Sequence, residues 1–366
     1  MKRFVLTLLA GYTCMSVLQA APSDPFLSSS FTTDQQPRLH LTASLDAVND
    51  TIDFADFRQS EGLSDSSTGD YQGFHLAANY QFHPQWSVDA EYWKRKIDFA
   101  SDTNNIDSML LAVRYKPELN LSKKSSLSLR AGIWGNQANE LNKSTPTRIN
   151  QRNYEQVQVS QPEDIQFQLD GIFSHKIDHM NQLNLFAGSG YSKVKVNRLD
   201  IQTQSRGCLM NIAIHSDNRY YGQLARPCQI DNMLMTKMNI SGNATEYGID
   251  IQKDLNYEAW FAHFGGSWSW RYRAFESQLA YQYQHLWRKD IDDRVSSFGS
   301  SPISNNHTFA AKMSYDFSPQ LTGFFQGELY QHNFTGNIPF LYNGVTASRL
   351  DRRYGLASLG ITFHGF

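Results

Sequence analysis

The sequence predicts an all-β fold in which antiparallel strands close into an up-and-down transmembrane β-barrel of about 14 strands, within a range of roughly 12 to 16. Three observations support this prediction. Apolar and polar residues alternate with a period of two along many segments, and short and long connections alternate between those segments. No apolar run after residue 20 approaches the length of a membrane helix. Residues 38–366 are therefore expected to form one barrel domain with long external loops.

The alternation defines the expected strands. In residues 74–82, apolar side chains at every second position alternate with His75, Asn79 and Gln81 among others. Because successive side chains of a strand point to opposite faces, such a segment presents one apolar and one polar face. The same pattern is found at 39–47, 86–92, 109–115, 127–133, 165–173, 183–191, 247–251, 260–270, 275–283, 309–317 and 321–329, and at the C-terminus Leu359, Ile361 and Phe363 lie in one phase and Phe366 in the other. A weaker strand at 294–299 would restore the alternation of short and long connections.

The connections between these segments differ in length in a regular way. Very short turns at 83–85 and 318–320 alternate with long polar connections, which span 55–70, 135–154, 199–243 and 331–352. Membrane barrels have short turns at one end and long loops at the other, whereas soluble sandwiches rarely show this asymmetry. Aromatic residues such as Trp86 and Phe317 flank the short turns, as expected at a membrane interface. The pattern therefore favours a barrel over a sandwich.

The N-terminal residues predict a secretory signal peptide at 1–20. Lys2 and Arg3 precede an uncharged apolar stretch that is short for a bilayer span, and the small Ala20 permits cleavage after it. Residues 21–37, rich in Ser, Thr, Asp and Gln, are expected to form a flexible periplasmic lead-in.

Cysteine usage and net charge narrow the chemistry. Removal of the leader takes Cys14 with it and leaves Cys208 and Cys228, which are expected to form a disulfide in an oxidising compartment. Zinc normally takes four ligands, so metal binding by this pair alone is disfavoured. The net charge of −2 gives no reason to expect a nucleic-acid partner.

The C-terminal segment 359–366 ends on the aromatic residue Phe366. Together with the leader and the strand pattern, this ending resembles that of bacterial outer-membrane β-barrels of the porin type, whose assembly machinery recognises a terminal Phe. The resemblance implies a place in the outer membrane of a Gram-negative bacterium, in contact with lipid and lipopolysaccharide. It also implies insertion by the barrel-assembly machinery, with Phe366 as the assembly signal. It leaves open whether copies associate as homo-oligomers.

An apolar outer face leaves the alternate residues to line the lumen. The charged candidates for this lining are Asp46, Asp89, Glu91, Arg114, Arg130, Asp170, Glu246, Asp250, Arg271, Glu276, Lys312, Asp316 and Glu328. Opposed charges across a lumen order water and favour polar over apolar solutes. By resemblance to porins, the expected function is an outer-membrane channel for passive diffusion of small polar solutes. Acidic candidates outnumber basic ones, so a weak preference for cations is expected.

Other interpretations stay open. The interior charges could instead pair and plug the barrel, because small barrels are filled by their side chains whereas large ones enclose a channel. The barrel could also act by binding through its extracellular loops, as an adhesin or receptor. An outer-membrane hydrolase is less expected, because no segment resembles a known catalytic motif.

Two clusters of potential metal ligands lack the pattern of a metal site. His175 and His179 lack a third ligand and a general-base glutamate. Asp290, Asp292 and Asp293 lack the spacing and central Gly of a calcium loop. No catalytic, metal or cofactor site is therefore predicted.

Overall fold

The computed structural model describes residues 24–29, 39–48, 70–99, 102–119, 121–143, 147–149, 152–231, 233–297, 301–332, 336–344, 347 and 354–365. Within these ranges the chain forms 22 strands, numbered β1 to β22 in chain order. Those of the barrel are β1 (Leu39–Val48), β2 (Asp70–His83), β3 (Trp86–Phe99), β4 (Asp102–Tyr115), β5 (Ser125–Ala138), β10 (Glu163–Lys176), β11 (Asn181–Lys195), β18 (Tyr257–Tyr272), β19 (Phe275–Arg288), β20 (Asn305–Ser318), β21 (Leu321–Tyr330) and β22 (Tyr354–Gly365).

These strands form one closed antiparallel barrel. Each strand pairs with its neighbour in the chain order of the barrel, and the ring closes between β1 and β22, where Leu39 pairs with Gly365. The predicted all-β antiparallel barrel is confirmed. The barrel has 12 strands rather than about 14.

One expected strand, at 247–251, is wrong because this segment is the turn between two short helices. Ala244–Tyr247 forms a 3-10 helix, and helix α1 follows at Ile251–Asp254. The side chains of Asn243 and Asp250 accept hydrogen bonds from backbone N–H groups at the two helix starts. Such caps satisfy donors that a strand would otherwise pair, so they favour a helical turn despite the alternating sequence.

The weak strand expected at 294–299 is also wrong. Helix α2 spans Ile291–Ser297, and Ile291 and Val295, four residues apart, are both buried. This spacing puts both side chains on one helix face. A further 3-10 helix spans Pro339–Leu341. In the described ranges, no helix is long and apolar enough to cross a membrane.

The outer face of the barrel is apolar. On β1, Leu45 is 69% exposed, whereas its neighbours Ser44 and Asp46 are each 4% exposed. Exposed aromatic residues lie near the strand ends: Tyr80, Phe82, Trp86, Tyr272, Tyr315 and Phe317 near the short turns, and Trp260, Trp287 and Phe309 near the long connections. An apolar band between two aromatic girdles is the surface that a barrel presents to lipid.

The long connections that contain described residues all leave the same end of the barrel. They span 139–162, 196–256, 289–304 and 331–353, whereas turns at the other end are as short as 273–274. Outer-membrane barrels direct their long loops away from the cell, so this end is the extracellular one.

The long connections build a lobe at the extracellular end. Its main element is a six-stranded sheet with the order β17-β14-β13-β12-β9-β6. The strands are β6 (Glu140–Lys143), β9 (Gln156–Ser160), β12 (Arg198–Ser205), β13 (Cys208–His215), β14 (Arg219–Leu224) and β17 (Asn239–Asn243). Smaller pairs join β7 (Thr147–Ile149) to β8 (Arg152–Tyr154) and β15 (Cys228–Ile230) to β16 (Met233–Met235). The predicted disulfide is present and links Cys208 to Cys228.

One face of the six-stranded sheet packs against the barrel end. Val157, Leu199 and Ile214 are buried in the same apolar cluster as Tyr257 of β18 and Phe340 of the last long connection. Burial of such a contiguous cluster is the dominant stabilising term for packed elements. The lobe is therefore joined to the barrel through a shared core.

Candidate functional site: the barrel lumen

The inner wall of the barrel is polar. Its buried side chains include His75, Asn136, Gln168, Asn184, Gln282 and Gln326, which come from strands all around the ring. In a barrel whose apolar face meets lipid, the alternate residues point inward and form a polar interior. Burial of so many polar groups is costly unless they are hydrogen-bonded or hydrated. The lumen is therefore the part of this molecule suited to polar chemistry.

A network of buried charges lies on one side of the lumen. Arg114 Nε donates a hydrogen bond to Asp89 Oδ2 at 2.8 Å, and Arg130 Nη1 donates one to Asp170 Oδ2 at 3.1 Å. Arg130 Nε also lies 3.9 Å from Asp89 Oδ2, so the two pairs are linked. His263 Nε2 lies 2.9 Å from Asp170 Oδ1. Buried charges require such partners, because desolvation of an unpaired ion is expensive.

Gly188 on β11 makes room for this network. It pairs with Asp170 on one side and with His263 on the other. A Cβ atom at this position would lie 2.3 Å from Asp170 Oδ1 and 2.7 Å from His263 Cε1. These distances are far inside van der Waals contact, so only glycine permits the two side chains to meet over this strand.

A second polar chain runs towards the extracellular end. Arg95 Nη1 donates a hydrogen bond to Ser108 Oγ at 2.8 Å, and Ser108 Oγ donates one to Asn136 Oδ1 at 2.6 Å. Asn136 Nδ2 in turn donates to Asp164 Oδ1 at 2.8 Å. The Arg95 guanidinium also stands 5.1 Å from the ring centre of Trp93, a cation–π distance. These hydrogen bonds fix the positions of the polar side chains on this side of the wall.

Residues 24–29, here called the inner plug, lie inside the barrel rather than in a flexible lead-in. All six residues are buried. Phe26 packs against Ala280 and Ala310, whereas Leu27 packs against Ile172 and Phe186. These contacts fall on β19 and β20 for Phe26 and on β10 and β11 for Leu27.

Hydrogen bonds also fix the inner plug to β4 and β10. Arg114 Nη1 of β4 donates to the carbonyl oxygen of Ser28 at 2.8 Å, and the backbone N–H of Ser29 donates to Ser174 Oγ of β10 at 2.9 Å. In the ring order, β4 lies directly across from β20, the strand of Ala310. The inner plug therefore crosses the full width of the lumen.

Residues 336–344, here called the outer plug, fill the extracellular mouth. Trp134 Nε1 and Asn136 Nδ2 both donate hydrogen bonds to the carbonyl oxygen of Asn337, at 2.8 and 2.9 Å. The Tyr257 hydroxyl donates to the carbonyl oxygen of Pro339 at 2.7 Å. Side chains of two barrel strands, β5 and β18, thus hold this non-strand segment by its backbone.

The outer plug is also tied to the lobe by Tyr342. Its hydroxyl donates to Asp292 Oδ1 at 2.8 Å and accepts from the backbone N–H of Ile303 at 3.2 Å. Burial raises the pKa of Tyr342 to about 12, so the hydroxyl stays protonated and able to donate. The Arg288 guanidinium lies 3.8 Å from the centre of the Tyr342 ring. Movement of the outer plug is therefore coupled to helix α2 and the lobe core.

The charged candidates of the sequence analysis occupy three kinds of position. Those buried on the inner wall are Asp46, Asp89, Glu91, Arg114, Arg130 and Asp170. Those at the short-turn end are Arg271, Glu276 and Asp316, with Arg271 51% exposed and 2.8 Å from Asp316. The third kind comprises Lys312 and Glu328, which lie on β20 and β21. Lys312 Nζ lies 4.3 Å from the centre of the Phe324 ring, and Glu328 accepts hydrogen bonds from Gln326 and Tyr330.

The assignment of Glu246 and Asp250 to the lumen is wrong. Glu246 lies in the 3-10 helix of the lobe, and Asp250 is the N-cap of helix α1. Neither belongs to a barrel strand. The assembly signal assigned to Phe366 lies outside the described residues, as does the signal peptide at 1–20.

Several lumen residues were not singled out from the sequence. His75 lies on the polar face that the alternation of residues 74–82 defines, whereas Asn136 lies at 135–154, which was expected to be a connection, because β5 extends to Ala138. His263 and Trp134 could not be assigned a partner without knowing which strands are neighbours. In the described part of the chain, no group of three or more His, Cys, Asp or Glu side chains is arranged to hold a metal ion.

Comparison with known proteins indicates similarity of architecture alone. No family model matches the sequence, and no curated protein matches it significantly. Among solved structures, the CymD monoaromatic hydrocarbon channel is 10% identical, with 90% of this chain and 89% of that chain covered and a TM-score of 0.38. The NanC porin is 10% identical, with 88% and 98% covered and a TM-score of 0.37. The translocator domain of the autotransporter NalP from Neisseria meningitidis is 7% identical, with 90% and 89% covered and a TM-score of 0.45.

The class of the protein follows from its own architecture. A closed antiparallel barrel leaves no unpaired strand edge in lipid, and this one combines an apolar outer band, aromatic girdles and a polar interior. The protein is a transmembrane β-barrel of the outer-membrane type.

Proposed function

We propose that the protein is an outer-membrane channel for small polar solutes, which the inner plug and the outer plug hold closed. The observation that carries this proposal is that two non-strand segments, rather than wall side chains alone, occupy the lumen. With strands about 4.8 Å apart and tilted by about 40°, a 12-stranded ring has a circumference of about 75 Å and a backbone diameter of about 24 Å. Displacement of the plugs would leave a polar passage.

The wall chemistry supports polar rather than apolar solutes. Paired charges such as Asp89–Arg114 and amides such as Gln168 line the interior, and a solute that enters must replace hydration with these groups. Because acidic side chains outnumber basic ones among the wall residues, we propose a weak preference for cations. The short distances within these charge pairs fit a role in stiffening the wall. Such a role is compatible with a passage through the lumen.

The two plugs are expected to act as gates in series. The inner plug is held by a few hydrogen bonds and by the apolar contacts of Phe26 and Leu27. The apolar side chains of the outer plug, in contrast, belong to the core of the lobe. Passage requires both plugs to move. For plugs that move independently, the probability that the channel is open is the product of the probabilities that each plug is displaced, and it is smaller than either of them. An unmodified protein should therefore open rarely.

Single-channel recording in planar bilayers tests this proposal with four proteins. These are the unmodified mature chain, a variant with residues 24–29 replaced by alternating Gly and Ser, the double variant Trp134→Phe/Tyr257→Phe, and the combination. Each Phe substitution removes one hydrogen bond to the outer plug, worth about 1 kcal/mol. We expect the open probability to rise in each variant and most in the combination.

The matched control is Trp86→Phe/Tyr272→Phe, which changes the same residue types at exposed sites near the short turns of the barrel. It should behave as the unmodified chain does. Absence of conductance from the combined variant, once shown to be folded and inserted, would refute the channel. Recording with and without reductant also tests whether the Cys208–Cys228 loop affects the entrance.

A hydrolase is a weaker candidate. Ser125 Oγ and His175 Nδ1 lie 2.9 Å apart at the short-turn rim, which is a nucleophile–base distance. Within the described part of the chain, no carboxylate contacts the His175 ring, so the group that would orient the base is missing. We therefore propose a non-enzymatic channel.

A further inference from the structure

The outward face of the six-stranded sheet carries a continuous row of side-chain amides. Strand pairing aligns Gln202 with Gln156 on one side and with Asn211 on the other, and aligns Gln223 with both Asn211 and Asn239. The row therefore crosses five neighbouring strands with an amide on every one. At about 4.8 Å between strands, it extends for about 19 Å.

The two faces of this sheet differ sharply. Inward residues such as Val157, Ile201 and Met210 are buried and apolar. Outward residues are mostly amides, with Ser160, Arg198, Asp200, Ala213 and Tyr221 among them. Together with edges of Ile212 and Ile240 they line a concavity of about 860 Å³. Surface patches of a monomer are usually mixtures of charged groups, whereas this face presents mostly neutral groups that both donate and accept.

Most of the hydrogen-bonding capacity of the row is turned outward. Gln202 Nε2 donates to Asn211 Oδ1 at 2.9 Å, which links two members. Within the described residues, the side chains of Gln156, Gln223 and Asn239 make no hydrogen bond to protein atoms. Each amide has two donors and one acceptor oxygen, so the row offers repeated donor and acceptor pairs along one line.

The charge and the aromatic group on this face limit the ligand further. Arg198 Nε donates to Asp200 Oδ1 at 2.9 Å, so the charged groups at the edge of the row neutralise each other. Tyr221 is 59% exposed and lies two residues from Gln223 on β14, on the same face of the sheet, where its ring is a flat apolar platform. A ligand that suits this face has many hydroxyl groups, no net charge, an extended shape and apolar C–H faces.

We propose that this concave sheet face binds an extended uncharged oligosaccharide. Sugar hydroxyl groups both donate and accept, as the amides do, and a sugar ring can stack its C–H face on Tyr221. Arg198 on this face is already paired with Asp200, and Glu140 at the edge of the sheet accepts a hydrogen bond from Gln158 and adds a carboxylate. An anionic chain would therefore lose hydration without gaining an ion pair. The inference does not depend on the channel, because it concerns a face of the lobe that is turned away from the barrel.

Binding is measured with the full mature protein in detergent micelles, against immobilised maltoheptaose, cellohexaose and mannohexaose, with an oligogalacturonate as the anionic probe. We expect an uncharged chain to bind and the anionic one to bind at least tenfold more weakly. Affinity should rise with chain length and level off once the ligand spans the row. Retention of none of the uncharged probes, or equal binding of the anionic one, would overturn the proposal.

Variants then locate the site. Asn211→Leu/Gln223→Leu removes two neighbouring amides and should weaken binding by about tenfold or more, and Tyr221→Ala should weaken it several-fold. The control Gln229→Leu removes an equally exposed amide of the lobe that lies on β15, outside the row, and should bind as the unmodified protein does. Protease resistance of the lobe reports folding, and the dependence on chain length tests the proposal even if the double variant is unstable. Unchanged binding by the folded variants would overturn the assignment.

Discussion

The Asp170 carboxylate is the position where loss of a single side chain should cost most stability. It lies between Arg130, at 3.1 Å, and His263, at 2.9 Å, and it accepts a further hydrogen bond from Gln168. Truncation by Asp170→Ala leaves a buried guanidinium without its nearest carboxylate. Removal of one partner from a buried pair typically destabilises a protein by about 3–5 kcal/mol.

The remaining geometry sets where in that range the result should fall. Arg130 Nε also lies 3.9 Å from Asp89, so part of the lost interaction can be recovered by a small movement of the guanidinium. We therefore expect a cost of about 3 kcal/mol, at the lower end of that range. Asp316→Ala is the control, because its ion pair with Arg271 lies at the exposed rim and should contribute about 1 kcal/mol or less.

Equilibrium urea unfolding of the barrel in micelles, followed by tryptophan fluorescence and by the shift of the folded band on unheated gels, measures both costs. The double variant Asp170→Asn/Arg130→Gln should recover part of the loss, because it removes both charges together. Equal costs for Asp170→Ala and Asp316→Ala would refute the view that the lumen network is buried and mutually dependent.

Three further outcomes follow from single contacts. Gly188→Ala should destabilise the barrel by about 1–3 kcal/mol in the same urea assay, because its Cβ would overlap Asp170, whereas Gly327→Ala, which meets no atom, should cost less. Cys208→Ser/Cys228→Ser should make the lobe protease-sensitive while the barrel stays folded. The reason is that a disulfide closing a loop with a sequence separation of 20 stabilises the folded state by about 3 kcal/mol. A lobe as resistant as that of the unmodified protein would contradict this. Trp134→Phe alone should raise the open probability about fivefold, by loss of one hydrogen bond to Asn337, and an unchanged value would mean that this bond does not hold the outer plug.

The barrel wall could be predicted from sequence because its signal is local. Alternation assigns Asp89 and Asp170 to the polar face of their strands without knowledge of any neighbour. The same rule failed at 247–251, where the side chain of Asp250 caps a helix instead of continuing a strand. A period of two over five residues cannot distinguish these cases, since the capping contact depends on the following backbone.

The contents of the lumen could not be predicted in this way. Residues 24–29 have no periodicity, and Phe26 is buried only because Ala280 and Ala310 leave space for its ring. The outer plug lies in a connection that the sequence presents as polar, although Phe340 and Tyr342 are apolar exceptions that could have drawn attention. Burial of both segments depends on which strands face each other across the ring, and that is a tertiary property.

The central claim is that the inner plug must leave the lumen for solutes to pass. The hydroxyls of Ser28 and Ser174 lie 3.4 Å apart, so Ser28→Cys/Ser174→Cys should form a disulfide that locks the plug to β10. The most direct measurement is single-channel conductance of this lock in the Trp134→Phe/Tyr257→Phe background, before and after reduction, beside the same background without the added cysteines. The account predicts that the oxidised lock stays closed and that the reduced lock opens as often as the reference does under the same reducing conditions. Equal conductance of the oxidised and reduced lock would contradict it.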